Sequence, residues 1–277
     1  MNLRREPADD WVRRYLRFLG VAREAPSPAA LARLTRAHLL AVPFGNVTAL
    51  LRYGSSHFGA PPLPDLDELL REWEERRGTG ACFEIVPAFS TLLTALGYEA
   101  IAVPGLTGSF MGGHQAIVVA FGDERYLVDV AIGLPLFEPI PLDRVVEVRR
   151  AGLAHRFRPG EDRGEVLHER WQNEAWTHVC RYELRGLDAA EREATYLRLH
   201  TPIAGSVIGV LRVVRCTETA VYSLRNAELT RFTEGGKRTE RLEGPGDYKR
   251  AMTEVFDLPR LPILEALAVL AARDGAT

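Results

Sequence analysis

Cys82 is the residue of this 277-residue chain whose surroundings best suit nucleophilic chemistry. It follows a glycine-rich turn at residues 78–80 and opens an apolar segment that ends at Gly97. The apolar residues of that segment recur every three or four positions, which is typical of one buried helix face. A thiol at a helix start lies beside free N–H groups at the positive end of the helix dipole, and both favour the thiolate. Cys82 is therefore a candidate nucleophile, and a small buried side chain in a tight turn is the alternative.

His114 and Asp129 are candidates for a general base and the carboxylate that orients it. A two-residue turn between Phe121 and Glu124 would join two strands and place both candidate side chains on one face, a diagonal step apart. A charged group within an apolar strand needs a partner, which favours an imidazole–carboxylate pair. With Cys82, the pair would complete a nucleophile, a base and an orienting group. The alternative is a buried pair that only holds the sheet together.

Composition narrows the class of protein further. The formal net charge of −2 gives no reason to expect nucleic acid or an acidic membrane surface as a partner. The three cysteines are widely spaced and form no CxxC pair, which argues against a structural disulfide or a zinc site. The first ten residues are charged, and no apolar run reaches the length of a membrane span. We therefore expect a cytoplasmic protein without a bound metal.

The predicted elements follow an α+β order, in which helices come first, antiparallel strands second and a mixture of both last. Helices capped by Asp9 or Asp10, by Ser27 and by Asp65 precede the helix that begins near Cys82. Pro87 supports that start, because proline is best tolerated in a first turn. Residues 44–46 are predicted to form a turn and residues 53–64 a loop. Strands are predicted at 99–103, 114–121, 125–130, 145–148, 176–184, 206–217, 221–224 and 229–232, and later helices at 188–197, 245–256 and 261–272.

Several segments, in this order, resemble motifs of the arylamine N-acetyltransferase family. They are residues 77–84 (RGTGACFE), Gly113-His114 and residues 126–133 (YLVDVAIG). Residues 42–46 (VPFGN) and 138–142 (EPIPL) are similar to two further segments of that family. The resemblance spans nearly the whole chain and is weaker in its C-terminal part.

The resemblance implies a three-part fold and a mechanism. The parts would be a helical bundle with the nucleophile (residues 1–97), an antiparallel β-barrel with the histidine and the aspartate (98–198) and an α/β lid (199–277). Cys82, His114 and Asp129 would form a catalytic triad. The enzyme would take an acetyl group from acetyl-coenzyme A as a thioester on the cysteine and pass it to an arylamine or hydrazine by a ping-pong mechanism, without a metal or prosthetic group.

The same resemblance places Phe44, Ile132 and Ser206 in the pocket for the acceptor. Of these, Ile132 and Ser206 stand where the family has aromatic residues. An amide synthase of the same fold is therefore an alternative, joining a larger thioester-bound acyl chain, with an acyl carrier protein as a candidate partner, to an amine. Two further alternatives are a thiol hydrolase or transglutaminase-like enzyme with the same triad and a non-catalytic binding protein that keeps the fold.

Overall fold

Five helices form the first part of the described chain, which comprises residues 8–107, 110–162, 164–201 and 206–275 of a computed structural model. They are α1 (Ala8–Leu19), α2 (Pro28–Ala41), α3 (Val47–Ser55), α4 (Leu66–Glu74) and α5 (Cys82–Ala95), with a two-residue strand, β1 (Phe44–Gly45), between α2 and α3. Most α5 side chains are buried, and they pack against α1, α2 and α4 on one side and against the following strands on the other. The helix that carries Cys82 is therefore the centre of this core.

The second part is an eight-stranded antiparallel sheet that curves into a nearly closed barrel. Its strands are β2 (Glu99–Thr107), β3 (Phe110–Phe121), β4 (Glu124–Val128), β5 (Ile140–Pro141), β6 (Val146–Arg150), β7 (Leu153–Pro159), β8 (Glu165–Gln172) and β9 (Ala175–Glu183), in the order β5-β4-β3-β2-β9-β8-β7-β6. Phe157, Tyr182 and Val103 are among the side chains that fill its interior.

The third part combines a smaller sheet with helices. After α6 (Ala189–Leu199), strands β10 (Arg212–Cys216), β11 (Ala220–Arg225), β12 (Glu228–Thr233) and β13 (Gly236–Arg241) form an antiparallel sheet, and α7 (Pro245–Glu254) and α8 (Ile263–Gly275) close the chain. The first strand of this second sheet pairs with β1, where Phe44 lies opposite Val214. No helix in the described ranges is both long and apolar enough to cross a membrane. The predicted α+β fold with these three parts is confirmed, whereas the boundaries at 97/98 and 198/199 stay a prediction.

Local signals predicted the helix ends well. The Ser27 hydroxyl accepts a hydrogen bond from the Ala30 N–H, and the Asp65 carboxylate accepts one from Glu68, so both residues are N-caps as predicted. The helix start at Cys82 is also confirmed. The argument that Pro87 marks the first turn of α5 was wrong, because this proline lies in the second turn. It has no N–H, so the carbonyl of Phe83 lacks its usual helical hydrogen bond.

Four local predictions were wrong. Residues 44–46 do not form a turn, because Phe44 and Gly45 pair with β10 from the far end of the chain. The predicted loop at 53–64 begins too early, since α3 continues to Ser55. Asp9 and Asp10 lie within α1 instead of capping it, and the predicted strand at 206–217 starts only at Arg212. The partner of Phe44 and Gly45 is distant in sequence, so the local pattern carried no signal for this pairing.

Candidate active site

The turn before Cys82 is held by close packing that only glycine permits. A Cβ on Gly80 would lie 2.5 Å from Cγ1 of Ile85, and one on Gly78 would lie 2.6 Å from Cβ of Glu72. The N–H of Gly45 donates to the carbonyl of Gly80 at 3.0 Å, which joins the turn to β1. The glycines therefore fix the place at which α5 begins, and with it the position of the thiol.

A buried ion-pair network supports the first turn of α5 from behind. The Glu84 carboxylate accepts a hydrogen bond from the Ala81 N–H at 2.8 Å and another from Nη1 of Arg52 at 2.6 Å. Nη2 of Arg52 also donates to Glu72 at 2.9 Å. Burial raises the pKa of Glu84, although the Arg52 charge and the Ala81 N–H oppose this effect. The network orients the first turn of α5 but does not contact the Cys82 thiol itself.

His114 and Asp129 meet as the hairpin geometry predicted. Phe121 pairs with Glu124, and the ladder between β3 and β4 runs back to Ile117 and stops there, so Asp129 lies one residue beyond the end of β4. Nε2 of His114 and Oδ2 of Asp129 are 2.7 Å apart. Both side chains are buried, with 7% and 1% of their surface exposed.

Asp129 has two further donors. The Tyr182 hydroxyl donates to Oδ2 at 2.6 Å, and the Ala131 N–H donates to Oδ1 at 3.0 Å. Burial acts to raise the pKa of Asp129, but the His114 charge and these hydrogen bonds outweigh it and lower the pKa. A carboxylate held in this way stays ionised within the protein interior.

Cys82 also influences His114. Burial acts to lower the pKa of His114, but the Asp129 carboxylate and, after it, the Cys82 side chain outweigh burial and raise the pKa. Sγ of Cys82 also lies 3.9 Å from the carbonyl oxygen of Gly113, the residue before the histidine. The structure thus brings together the three residues that the sequence singled out, from the start of α5, from β3 and from the residue that follows β4.

A cavity of about 660 Å³ opens in front of this cluster. Cys82 and His114 line it, whereas Asp129 lies behind the imidazole. The three residues predicted to contact the acceptor, Phe44, Ile132 and Ser206, all lie on its wall. The Ser206 hydroxyl is buried and has no hydrogen-bond partner among the described residues, so it is available to a bound molecule. The binding role of the three residues stays a prediction.

Sequence reasoning missed Tyr182, Arg52 and a pair of buried histidines. Nδ1 of His155 lies 3.0 Å from Nε2 of His168, and His155 also lines the cavity. Burial lowers the pKa of His155 to about 4 and that of His168 well below its usual value. One signal for Tyr182 was available, because a buried carboxylate needs more donors than one imidazole supplies. Within the described residues, no group of three or more His, Cys, Asp or Glu side chains is placed to hold a metal ion.

The chain is similar to known proteins in sequence and in fold. The family model described as N-acetyltransferase matches residues 29–261. Among curated proteins, the chain is similar to proansamycin X synthase from Amycolatopsis mediterranei (strain S699), with 29% identity over 180 residues. That match spans 61% of this chain and 65% of the synthase, less than two thirds of its length.

Solved structures of low sequence identity share the fold. The arylamine N-acetyltransferase from Mycobacterium abscessus superimposes with a TM-score of 0.81 at 21% identity, covering 97% of this chain and 98% of that one. The arylamine N-acetyltransferase from Mycobacterium marinum, solved in complex with CoA, gives a TM-score of 0.77 at 19% identity and covers 95% and 97%. Since the family model covers most of the sequence and the fold agrees, this chain belongs to the arylamine N-acetyltransferase family.

Proposed function

We propose that this protein transfers an acetyl or larger acyl group from a coenzyme A thioester to an amine, through a thioester on Cys82. The observation that carries the proposal is the arrangement around that thiol. Cys82 begins a helix on the wall of a cavity that His114 also lines, and Nε2 of His114 is held by the buried Asp129. This is the set of roles that covalent acyl transfer requires.

In the first half-reaction the cysteine takes the acyl group. Sγ of Cys82 attacks the thioester carbonyl while His114 accepts the thiol proton. The carbonyl oxygen gains negative charge, and the N–H groups at the start of α5 have no partner within the helix, so they are suited to stabilise it. The carbon–sulfur bond to coenzyme A then breaks, and the leaving thiolate takes the proton from His114. An acyl-cysteine and free coenzyme A result.

In the second half-reaction an amine removes the acyl group. The amine nitrogen attacks the acyl-cysteine carbonyl and forms a carbon–nitrogen bond, and the carbon–sulfur bond to Cys82 breaks. The proton lost from the amine passes through His114 to the cysteine, which restores the starting state. Asp129 keeps the imidazole in one tautomer and stabilises its charged form throughout. The structure of the related M. marinum enzyme in complex with CoA supports coenzyme A as the carrier.

A second candidate function, amide synthesis with a bulkier acyl chain or amine, is favoured by the cavity. Its volume of about 660 Å³ exceeds what an acetyl group and a single ring need. Ile132 and Ser206 supply no ring to stack on a small arylamine. The similarity to proansamycin X synthase supports the same alternative. Both candidates use the same acyl-cysteine, and they differ in the acceptor and in the size of the acyl group.

Intact-protein mass spectrometry after incubation with acetyl-coenzyme A tests the shared step. We expect one acetyl group on the wild type and none on Cys82→Ser. Cys180→Ser and Cys216→Ser are matched controls, because both of these thiols are buried and burial raises their pKa, that of Cys216 to about 12. The proposal fails if Cys82→Ser is acetylated as fast as the wild type, or if no coenzyme A thioester acylates the wild type.

The two candidates are separated by the acceptor. The acylated enzyme is mixed with small arylamines and hydrazines or with larger amines, and the loss of the acyl group is followed over time. Fast, saturable turnover of simple anilines identifies an arylamine acetyltransferase. Slow turnover of anilines with fast turnover of bulkier amines identifies an amide synthase.

A further inference from the structure

The cavity in front of Cys82 has an unbalanced charge. Arg170 from β8, Arg212 from β10 and Arg225 from β11 all line it. The one carboxylate among its lining residues in the described chain is Glu84, and Arg52 already binds that group. A substrate that enters therefore meets an excess of positive charge on the cavity wall.

Two of these arginines form an adjacent pair. Arg212 lies directly opposite Arg225 in the antiparallel register of β10 and β11, so both side chains project from the same face of the second sheet. The guanidinium of Arg212 also lies over the ring of Phe44, 5.7 Å from its centroid. Phe44 belongs to β1, which is hydrogen-bonded to the turn that delivers Cys82. The pair is thus connected to the nucleophile by a short, ordered path.

No ion pair in the described chain holds either arginine of the pair. Neither Arg212 nor Arg225 forms an ion pair there, and Glu228, the residue opposite Arg225 on β12, forms none with it. Both side chains are exposed to solvent. The protein atoms around the Arg212 guanidinium and the neighbouring Arg225 charge lower the pKa of Arg212, an effect that solvent at this exposed position weakens. Two like charges opposite each other in a sheet destabilise it unless an anion lies between them.

We propose that Arg212 and Arg225 form an anion subsite that holds a phosphate or carboxylate group of a substrate bound for Cys82. This inference rests on the proposed acyl transfer and adds the charge of the substrate to it. Guanidinium groups suit this task because their planar donors match two oxygens of a carboxylate or phosphate at once. The anion has two sources: the phosphates of a coenzyme A donor, or a carboxylate carried by the amine acceptor.

The test compares charged and neutral substrates in matched variants. Arg212→Gln and Arg225→Gln each remove one charge of the subsite. Arg231→Gln is the control, since this arginine is exposed on the neighbouring strand and stacks on Tyr222 away from the cavity. Acetyl-coenzyme A is compared with the neutral acetyl thioester of N-acetylcysteamine, and 4-aminobenzoate with its methyl ester. Acylation and deacylation of Cys82 are followed separately by mass spectrometry.

The result of these comparisons either identifies which anion the subsite binds or refutes the proposal. If the subsite holds donor phosphates, each subsite variant raises the half-saturating concentration of acetyl-coenzyme A about tenfold or more and changes acylation by the neutral thioester far less. If it holds an acceptor carboxylate, the same contrast appears between 4-aminobenzoate and its methyl ester. Equal effects on charged and neutral substrates in both comparisons overturn the proposal.

A binding measurement keeps this inference separate from the proposed function. If neither thioester acylates the wild type, the proposed acyl transfer is refuted. Calorimetric titration of coenzyme A and of 4-aminobenzoate into the same proteins then decides the anion subsite. Binding that Arg212→Gln and Arg225→Gln weaken and Arg231→Gln does not supports the subsite, whereas absent or unchanged binding rejects it.

Discussion

Asp129→Asn tests the orienting carboxylate because an amide cannot satisfy the three donors that surround it. Oδ2 accepts from His114 and Tyr182, and Oδ1 accepts from the Ala131 N–H. If the amide nitrogen takes the Oδ1 position, it faces the backbone N–H of Ala131, donor against donor. If it takes the Oδ2 position, it donates to Nε2 of His114, whose proton must then move to the ring nitrogen beside Cys82. The histidine would then present a proton to the thiol instead of a lone pair.

The expected loss of activity is large and the loss of stability is moderate. A wrong tautomer removes the general base, and the same substitution in a serine protease triad lowers kcat by about 10⁴-fold. The buried donor left unsatisfied costs about 1–3 kcal/mol of unfolding free energy. The protein would therefore remain folded while acylation of Cys82 becomes slow.

The assay is the rate at which acetyl-Cys82 forms, measured by intact-protein mass spectrometry at several times. Thermal unfolding and near-ultraviolet circular dichroism check that the variant is folded. Asp143→Asn serves as the matched control, because the side chain of Asp143 is 75% exposed and lies outside the site. A folded Asp129→Asn protein that is acylated within tenfold of the wild-type rate would refute the reasoning and make Asp129 a structural residue.

Three further predictions follow from individual contacts. Tyr182→Phe removes one donor to Asp129 and is expected to cost about 1.5–3 kcal/mol of unfolding free energy. It should slow acylation less than Asp129→Asn does, and an equal or larger slowing contradicts this ranking. Ile132→Phe adds a ring to the cavity wall and should lower the KM for small arylamines by up to about tenfold. Steady-state kinetics measures this KM, and an unchanged or higher value argues against a role of residue 132 in binding the acceptor. Burial lowers the pKa of His38 to about 3, so only the unfolded chain takes up its proton near pH 6.5. The His38 imidazole therefore lowers the unfolding free energy as the pH drops from about 6.5 toward 4.5. The decrease is up to about 1.4 kcal/mol per pH unit. Urea denaturation should show a shallower fall in His38→Gln, and identical pH slopes would exclude this effect.

The residues near Cys82 and the His114–Asp129 pair could be predicted because their signals are local. Glycines and an apolar period mark the start of α5, and the turn length between Phe121 and Glu124 sets which residues share a face. These patterns need no knowledge of the rest of the chain. The resemblance to a known family then added the order of the motifs, which is why the fold as a whole was predicted.

The rest of the site depends on which distant segments become neighbours. Tyr182 reaches Asp129 only because β9 lies next to β2 in the barrel, and Arg212 reaches the cavity only because β10 pairs with β1. A two-residue strand such as Phe44–Gly45 is too short to show an alternating pattern. No window of sequence contains both partners of such contacts, so a local reading could not find them.

The pairing of β1 with β10 also bears on how the chain folds. Phe44 and Gly45 come early in the chain and their partners Val214 and Val213 come late, and the side chains of α3 likewise pack against those of α8. Contacts between such distant segments form slowly, because a long loop must close before they are gained. A chain still emerging from the ribosome can form its first helices and the barrel while β1 has no partner. The part of the cavity wall that β10 and β11 supply would therefore form only after these strands have been synthesised and β10 has paired with β1.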